Sequence, residues 1–120
     1  MKVIYIAGPF TAPNAWEREL NVRAAENIAM AVAEMGAMPL CPHSNTRYFD
    51  GTISDKPDFW YEGTLELLRR CDAMIVAVSN WQRSKGTRLE IDEAGKRVIP
   101  VFYSTADLAN WLRKESARAG

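Results

Sequence analysis

Residues 72–78, DAMIVAV, form a continuous apolar run bounded by polar residues. A strand with one wet face alternates apolar and polar side chains. The lack of alternation here predicts a central strand covered on both faces, as a parallel sheet requires. A parallel sheet needs a crossover between strands, so helices are expected on either side of this run. Upstream, Trp60, Thr64, Leu67, Leu68 and Cys71 recur at spacings of three and four, which predicts a helix from Asp58 to about Cys71. Downstream, Ser79 to Lys85 reads as a loop and Gly86 to Lys96 as a helix. RVIPVFY (97–103) reads as a fourth strand whose Pro100 implies an edge or a bulge. A last helix, from about Thr105 to Lys114, turns Leu108, Trp111 and Leu112 inward.

The beginning of the chain repeats the alternation. KVIYIA (2–7) is rich in β-branched and aromatic residues, stops at Gly8-Pro9, and reads as a buried first strand. Asn14 followed by Glu17 has the form of a capping box. After it, Leu20, Ala24, Ile28, Ala31, Val32 and Met35 mark an apolar stripe that Gly36 ends. AMPLC (37–41) gives a short second strand, and a long polar loop runs from Pro42 to Pro57. The expected fold is therefore α/β: a single domain over residues 1–120, Rossmann-like or flavodoxin-like, with a parallel sheet between two helix layers.

Composition narrows the function. Fifteen Lys and Arg balance fifteen Asp and Glu, so no global field draws the chain to a nucleic-acid polymer or an anionic membrane. No apolar run approaches membrane-spanning length, and a cytoplasmic protein is expected. Cys41 and Cys71 lack redox or zinc spacing and read as buried thiols. GPFTAP (8–13) departs from G-x-G-x-x-G, which argues against NAD, and no cofactor is expected. Neither metal-ligand spacing nor a defensible Ser-His-Asp order is present.

In such sheets ligands bind beyond the carboxyl ends of the strands, where strand order reverses. That places Gly8, Pro9 and Phe10 after strand one, His43 after strand two, and Ser79 to Gly86 after strand three around one crevice. At about 100° per residue, Gly86, Thr87, Glu90, Ile91 and Ala94 share one helix face about 140° wide, with Lys85, Arg88, Asp92 and Lys96 opposite and Leu89 outside the apolar face. A glutamate in the middle of a sheet-facing stripe is either ion-paired, with Arg47, Arg69, Arg70 or Arg97, or functional, because an isolated buried carboxylate is costly. Ser84 can cap this helix or hold an anion, and Gly86 permits close approach of a backbone or ligand. Together with Arg83, Lys85 and Arg88, this turn suits a sugar phosphate beside Glu90. Gly8-Pro9 forms either a tight turn or a ligand contact. Tyr5 is either a core tyrosine or one that directs its hydroxyl to the site, and His43 either a surface residue or part of the crevice edge. Asp58 reads as an N-cap, while Trp60 and Trp81 are packing residues or platforms for a base.

YIAGPFTA (5–12), LLRRCDAMIVAVSNW (67–81) and SKGTRLEIDEA (84–94) resemble the nucleoside 2-deoxyribosyltransferase-like superfamily, which includes 2′-deoxynucleoside 5′-phosphate N-hydrolases; its small bacterial and phage branch is the nearest in pattern. The resemblance runs from Tyr5 to about Val101, and its most specific element is S-x-G-x-x-x-E at Ser84, Gly86 and Glu90. It implies that Glu90 attacks the anomeric carbon of a nucleoside or nucleotide and Tyr5 orients it. It also implies that Ser84 and Gly86 meet the 5′ end, that Gly8 and Pro9 line the sugar pocket, and that the protein is a homo-oligomer. The family's aspartate, eight residues before Asp72, is replaced by Thr64. Asp58 or Glu62 then has to reach in from the start of the helix, or the chain is a nucleotide sensor without turnover.

Overall fold

The computed structural model describes residues 1–46, 49 and 58–119. In chain order the elements are β1 (Val3–Ala7), α1 (Ala15–Glu34), β2 (Met38–Leu40), α2 (Pro42–Asn45), α3 (Phe59–Arg69), β3 (Ala73–Val76), a 3₁₀ turn (Trp81–Arg83), α4 (Lys85–Lys96), β4 (Val101–Phe102) and α5 (Thr105–Ala119). Among the described residues four strands make one parallel sheet in the order β2-β1-β3-β4. The sequence left Rossmann-like and flavodoxin-like layouts open, and this order is the flavodoxin-like one. Chain direction across the sheet reverses beside β1, so the crevice opens over the carboxyl ends of β1 and β3.

The reading of DAMIVAV as a doubly covered strand holds: Ala73 to Val76 are all buried. Alternate side chains of β1 and β3 feed two cores. Ile4, Ile6, Ala73 and Ile75 pack with Val32 and Ala25 of α1 and Leu108 of α5 on one face. On the other, Tyr5, Ala7, Met74 and Val76 pack with Leu68 of α3 and Ala94 of α4. Asp72 joins the feet of the two strands: the Val3 N–H donates to Asp72 Oδ2 at 2.8 Å, and the Asp72 N–H donates to the Val3 carbonyl at 2.9 Å.

Three expectations need correction. The buried face of α1 is Val22, Ala25 and Val32, with Ile28, Ala29 and Met35 beside it, while Leu20 is exposed. Alanines scattered around the helix make its apolar lettering nearly isotropic, so the sheet selects the face. β4 spans only Val101–Phe102, because α4 closes with the Ile99 N–H donating to the Ala94 carbonyl at 2.9 Å. That closure puts Val98 at φ 58° and holds residues 97–99 out of the strand. Pro100 therefore precedes a short edge strand, its carbonyl accepting from the Met74 N–H at 2.9 Å. The polar loop after β2 begins with α2, and its remainder, except Thr46 and Phe49, lies outside the described residues.

Cap signals are legible. The Glu17 N–H donates to Asn14 Oδ1 at 2.9 Å, and Gly36 ends α1 at φ 87°, where a side chain would be strained. Trp111 packs on the sheet against Phe102 with ring centroids 5.5 Å apart, and α5 runs to Ala119, five residues past its expected end. Among the described residues no helix is long and apolar enough to cross a membrane.

Candidate active site

Tyr5 and Glu90 meet at the switch point. Tyr5 is fully buried in β1, and its phenol donates a hydrogen bond to Glu90 Oε2 on α4, 85 residues away. The strand's alternation sends Tyr5 to the α3/α4 face, and the helical phase of Gly86, Thr87, Glu90 and Ala94 sends the glutamate back to meet it. The ion pairs that would make Glu90 structural do not form with the described arginines. Arg69 donates to Glu93 and Glu66, each at 3.2 Å, Arg70 to Glu66 at 3.0 Å, and Arg97 to Glu93 at 2.9 Å. Arg47 lies outside the described residues.

This isolation sets the electrostatics. Burial pushes the Glu90 carboxyl up to about 7, and the Tyr5 hydrogen bond pulls the other way. Burial, then the Glu90 charge, holds the Tyr5 phenol well above its ordinary range, so Tyr5 keeps its proton as a donor. Thr64 is part of this cluster: its hydroxyl is close enough to Tyr5 to act on the phenol, and it donates to the Tyr61 carbonyl at 2.8 Å. A carboxyl raised to about 7 is divided between its two forms at neutral pH. One form is a nucleophile and the other an acid.

At the head of α4, Ser84 Oγ accepts from the Thr87 N–H at 3.2 Å and from the Thr87 hydroxyl at 2.9 Å. Capping therefore occupies the oxygen and leaves the Ser84 proton to donate elsewhere. Among the described residues a Cβ added at Gly86 would meet nothing within 4 Å, so none of them needs that residue to be glycine. The basic cluster expected here divides. Lys85 and Arg88 line a separate depression with Trp81, Leu89, Ile91 and Asp92, and Arg88 donates to the Gln82 carbonyl at 3.0 Å. An anion beside Glu90 would meet the first-turn amides of α4 rather than those side chains. Leu89, outside the apolar face, stays exposed.

Gly8 is buried, and a Cβ on it would come within 3.4 Å of the Ala77 Cβ, so the ends of β1 and β3 lie close together here. His43 is buried, not a surface residue. Its Nε2 lies 3.1 Å from the Pro9 carbonyl, which requires that nitrogen to donate, and its ring meets Phe10 edge-on at 5.7 Å. Burial lowers its pKa, so the imidazole is neutral with Nδ1 bare, and Nδ1 has no partner among the described residues. Phe10 also lies against the Arg18 guanidinium at 5.5 Å. This group braces the loop after β1. The structure brings Gly8, Pro9, Phe10 and His43 together, and separately joins Tyr5, Glu90 and Thr64.

Asp58 occupies the N-cap position of α3 without making a capping bond, and is exposed. It lines a shallow depression of about 550 Å³ with Tyr61, Glu62, Leu65 and Arg69. Tyr61 was not among the residues singled out in the sequence. It lines that depression, and burial and the nearby Glu90 and Glu93 carboxylates raise its phenol pKa. Its position one turn before Thr64 was the available signal. Trp60 packs with Phe59 and Phe49, and Trp81 with Tyr103.

The family described as Domain of unknown function (DUF7768) matches residues 2–104, and the chain belongs to it. No curated protein matches the chain. Among solved structures, the fold is similar to that of the 2-deoxyribosyltransferase from the psychrotolerant bacterium Bacillus psychrosaccharolyticus, described as a biocatalyst for nucleoside synthesis. The TM-score is 0.64 at 19% identity, over 90% of this chain and 90% of that one. At that identity the likeness is one of fold.

Proposed function

We propose that this chain cleaves the N-glycosidic bond of a nucleoside or nucleoside 5′-monophosphate, with Glu90 as nucleophile. The observation that carries the reading is the Tyr5–Glu90 hydrogen bond at the switch point, where the carboxylate pairs with none of the described arginines. A nucleoside deoxyribosyltransferase-like fold supports it, as does the S-x-G-x-x-x-E turn. In the first step a Glu90 oxygen bonds to C1′ while the C1′–N bond breaks and its electron pair leaves with the base. In the second, water or another base attacks C1′ and the carboxylate is released. Tyr5 is a positioning residue: it fixes the carboxylate and favours its ionised form. Ser84 and the open space at Gly86 receive the 5′ end, and the loop of Gly8, Pro9 and Phe10, braced by His43, forms the sugar wall. Asp58 stands at the rim where the base leaves.

The test is release of free base from a panel of nucleosides and nucleoside 5′-monophosphates, followed by chromatography, with Glu90→Ala in parallel. Base release lost in the variant is expected. Equal rates in both proteins would refute Glu90 as nucleophile.

Thr64 favours a second reading, a nucleotide-binding module without turnover. Its hydroxyl is committed to the Tyr61 carbonyl and is no acid at neutral pH. Nucleotide binding without base release, with turnover gained in Thr64→Asp, would establish it.

A further inference from the structure

We propose that the 5′ group taken by this protein is a di- or triphosphate, whose outer phosphates are held by Lys85 and Arg88 in the depression on the outer flank of α4. The inference rests on the nucleotide site proposed above and names its substrate class. Arg83, Lys85 and Arg88 crowd the head of α4 in a chain with no net charge, and a monophosphate bound at the first-turn amides uses none of these side chains. Cations near the start of a helix oppose its backbone dipole, so this arrangement costs stability unless an anion covers it. The depression has a volume of about 490 Å³, and Trp81, Leu89 and Ile91 line it together with Lys85, Arg88 and Asp92. Apolar walls with a few charged groups, at that size, suit a small anionic ligand.

The chain itself joins this depression to the 5′ position. Lys85 follows Ser84 directly, and the Arg88 N–H donates to the Ser84 carbonyl at 3.1 Å. The Arg88 guanidinium turns back to the 3₁₀ turn that precedes Ser84, where it donates to the Gln82 carbonyl at 3.0 Å. Asp92 has the i,i+4 spacing that pairs with an arginine along a helix, but no ion pair joins it to Arg88. Arg23, Arg69, Arg70, Arg97 and Arg118 each hold a glutamate, whereas among the described residues neither Lys85 nor Arg88 has a carboxylate partner. The Lys85 ammonium and the rest of the Arg88 fork are therefore available to phosphate oxygens. Asp92 stands about 10 Å along the helix axis from Lys85, which keeps its charge at the far end from the phosphates.

The experiment takes the full chain through one series for each common base: the free nucleoside and its 5′-mono-, di- and triphosphate, as ribosides and deoxyribosides. Base release is measured by chromatography in the wild type, and binding by calorimetry in Glu90→Ala, so that affinity is read apart from cleavage. The di- and triphosphate are expected to have the highest kcat/KM and the tightest binding. Replacing both cations, Lys85→Gln with Arg88→Gln, should lower both quantities by roughly 10- to 100-fold for the di- and triphosphate and by less than about threefold for the monophosphate. A wild-type preference for the monophosphate or the free nucleoside would overturn the inference. So would an equal loss across the series, or a selective loss in Arg83→Gln instead. Triphosphate binding that depends on Lys85 and Arg88, without base release from any member, would uphold this inference and remove Glu90 as nucleophile. Neither binding nor release across the series would remove both readings.

Discussion

Replacing Glu90 by glutamine should make the protein more tolerant of alkaline conditions, whatever its substrate. The carboxyl titrates at about 7 when folded against an ordinary 4.5. Between those values the native state holds a proton that the unfolded chain has released, so the contribution of Glu90 to stability is fully present below about 4.5 and is lost as pH rises through about 7. At about 1.4 kcal/mol per unit the whole effect is on the order of 3 kcal/mol, of which roughly 2–3 kcal/mol falls between pH 5 and pH 8. Glutamine cannot ionise but keeps an oxygen for the Tyr5 phenol. Urea unfolding of both proteins at pH 5, 6, 7 and 8 isolates the effect, because titrating groups common to both, including His43, cancel in the difference. The wild type should lose stability relative to the variant by that amount, a change in relative midpoint of roughly 1–2 M urea. A difference independent of pH would refute the raised carboxyl. One of opposite slope would mean that the carboxylate is held as an ion.

Tyr5→Phe removes the donor that favours ionised Glu90, so the alkaline-going rise of base release should move up by roughly 1–2 pH units; an unmoved profile would detach Tyr5 from the nucleophile. Among the described residues Gly86→Ala meets no atom within 4 Å, and it removes a helix glycine. It should leave stability equal or raise it by up to about 1 kcal/mol while weakening binding of nucleoside 5′-monophosphates in calorimetry. Wild-type affinity would show that no ligand approaches there. Val98→Gly relieves a β-branched residue at φ 58° on the surface and should raise the thermal midpoint by a few degrees, for a gain of about 0.5–1 kcal/mol. A lower midpoint would mean that the left-handed turn carries no strain.

Local rules made much of this chain readable. The unbroken apolar run at residues 73–76, the Asn14 and Ser84 caps and the Gly36 stop each depend on neighbours within a few residues, so the strand–helix alternation and its parallel sheet were decided by the sequence alone. Helical phase likewise placed Glu90 towards the sheet. The rest depended on which elements lie side by side. The strand order, and hence the choice between the two layouts, has no local signal. The alanines of α1 left its buried face open until the sheet selected one. Four arginines were candidate partners for Glu90. Arg69 turns to Glu93 because the packing of α3 beside α4 brings that glutamate to it, while Arg97 meets the same glutamate one turn along its own helix. His43 is buried because α2 folds under the loop at Pro9. Residue type and period settle which face of an element a side chain takes. What that side chain meets across a groove is a long-range pairing, fixed only when the sheet and its two helix layers come together.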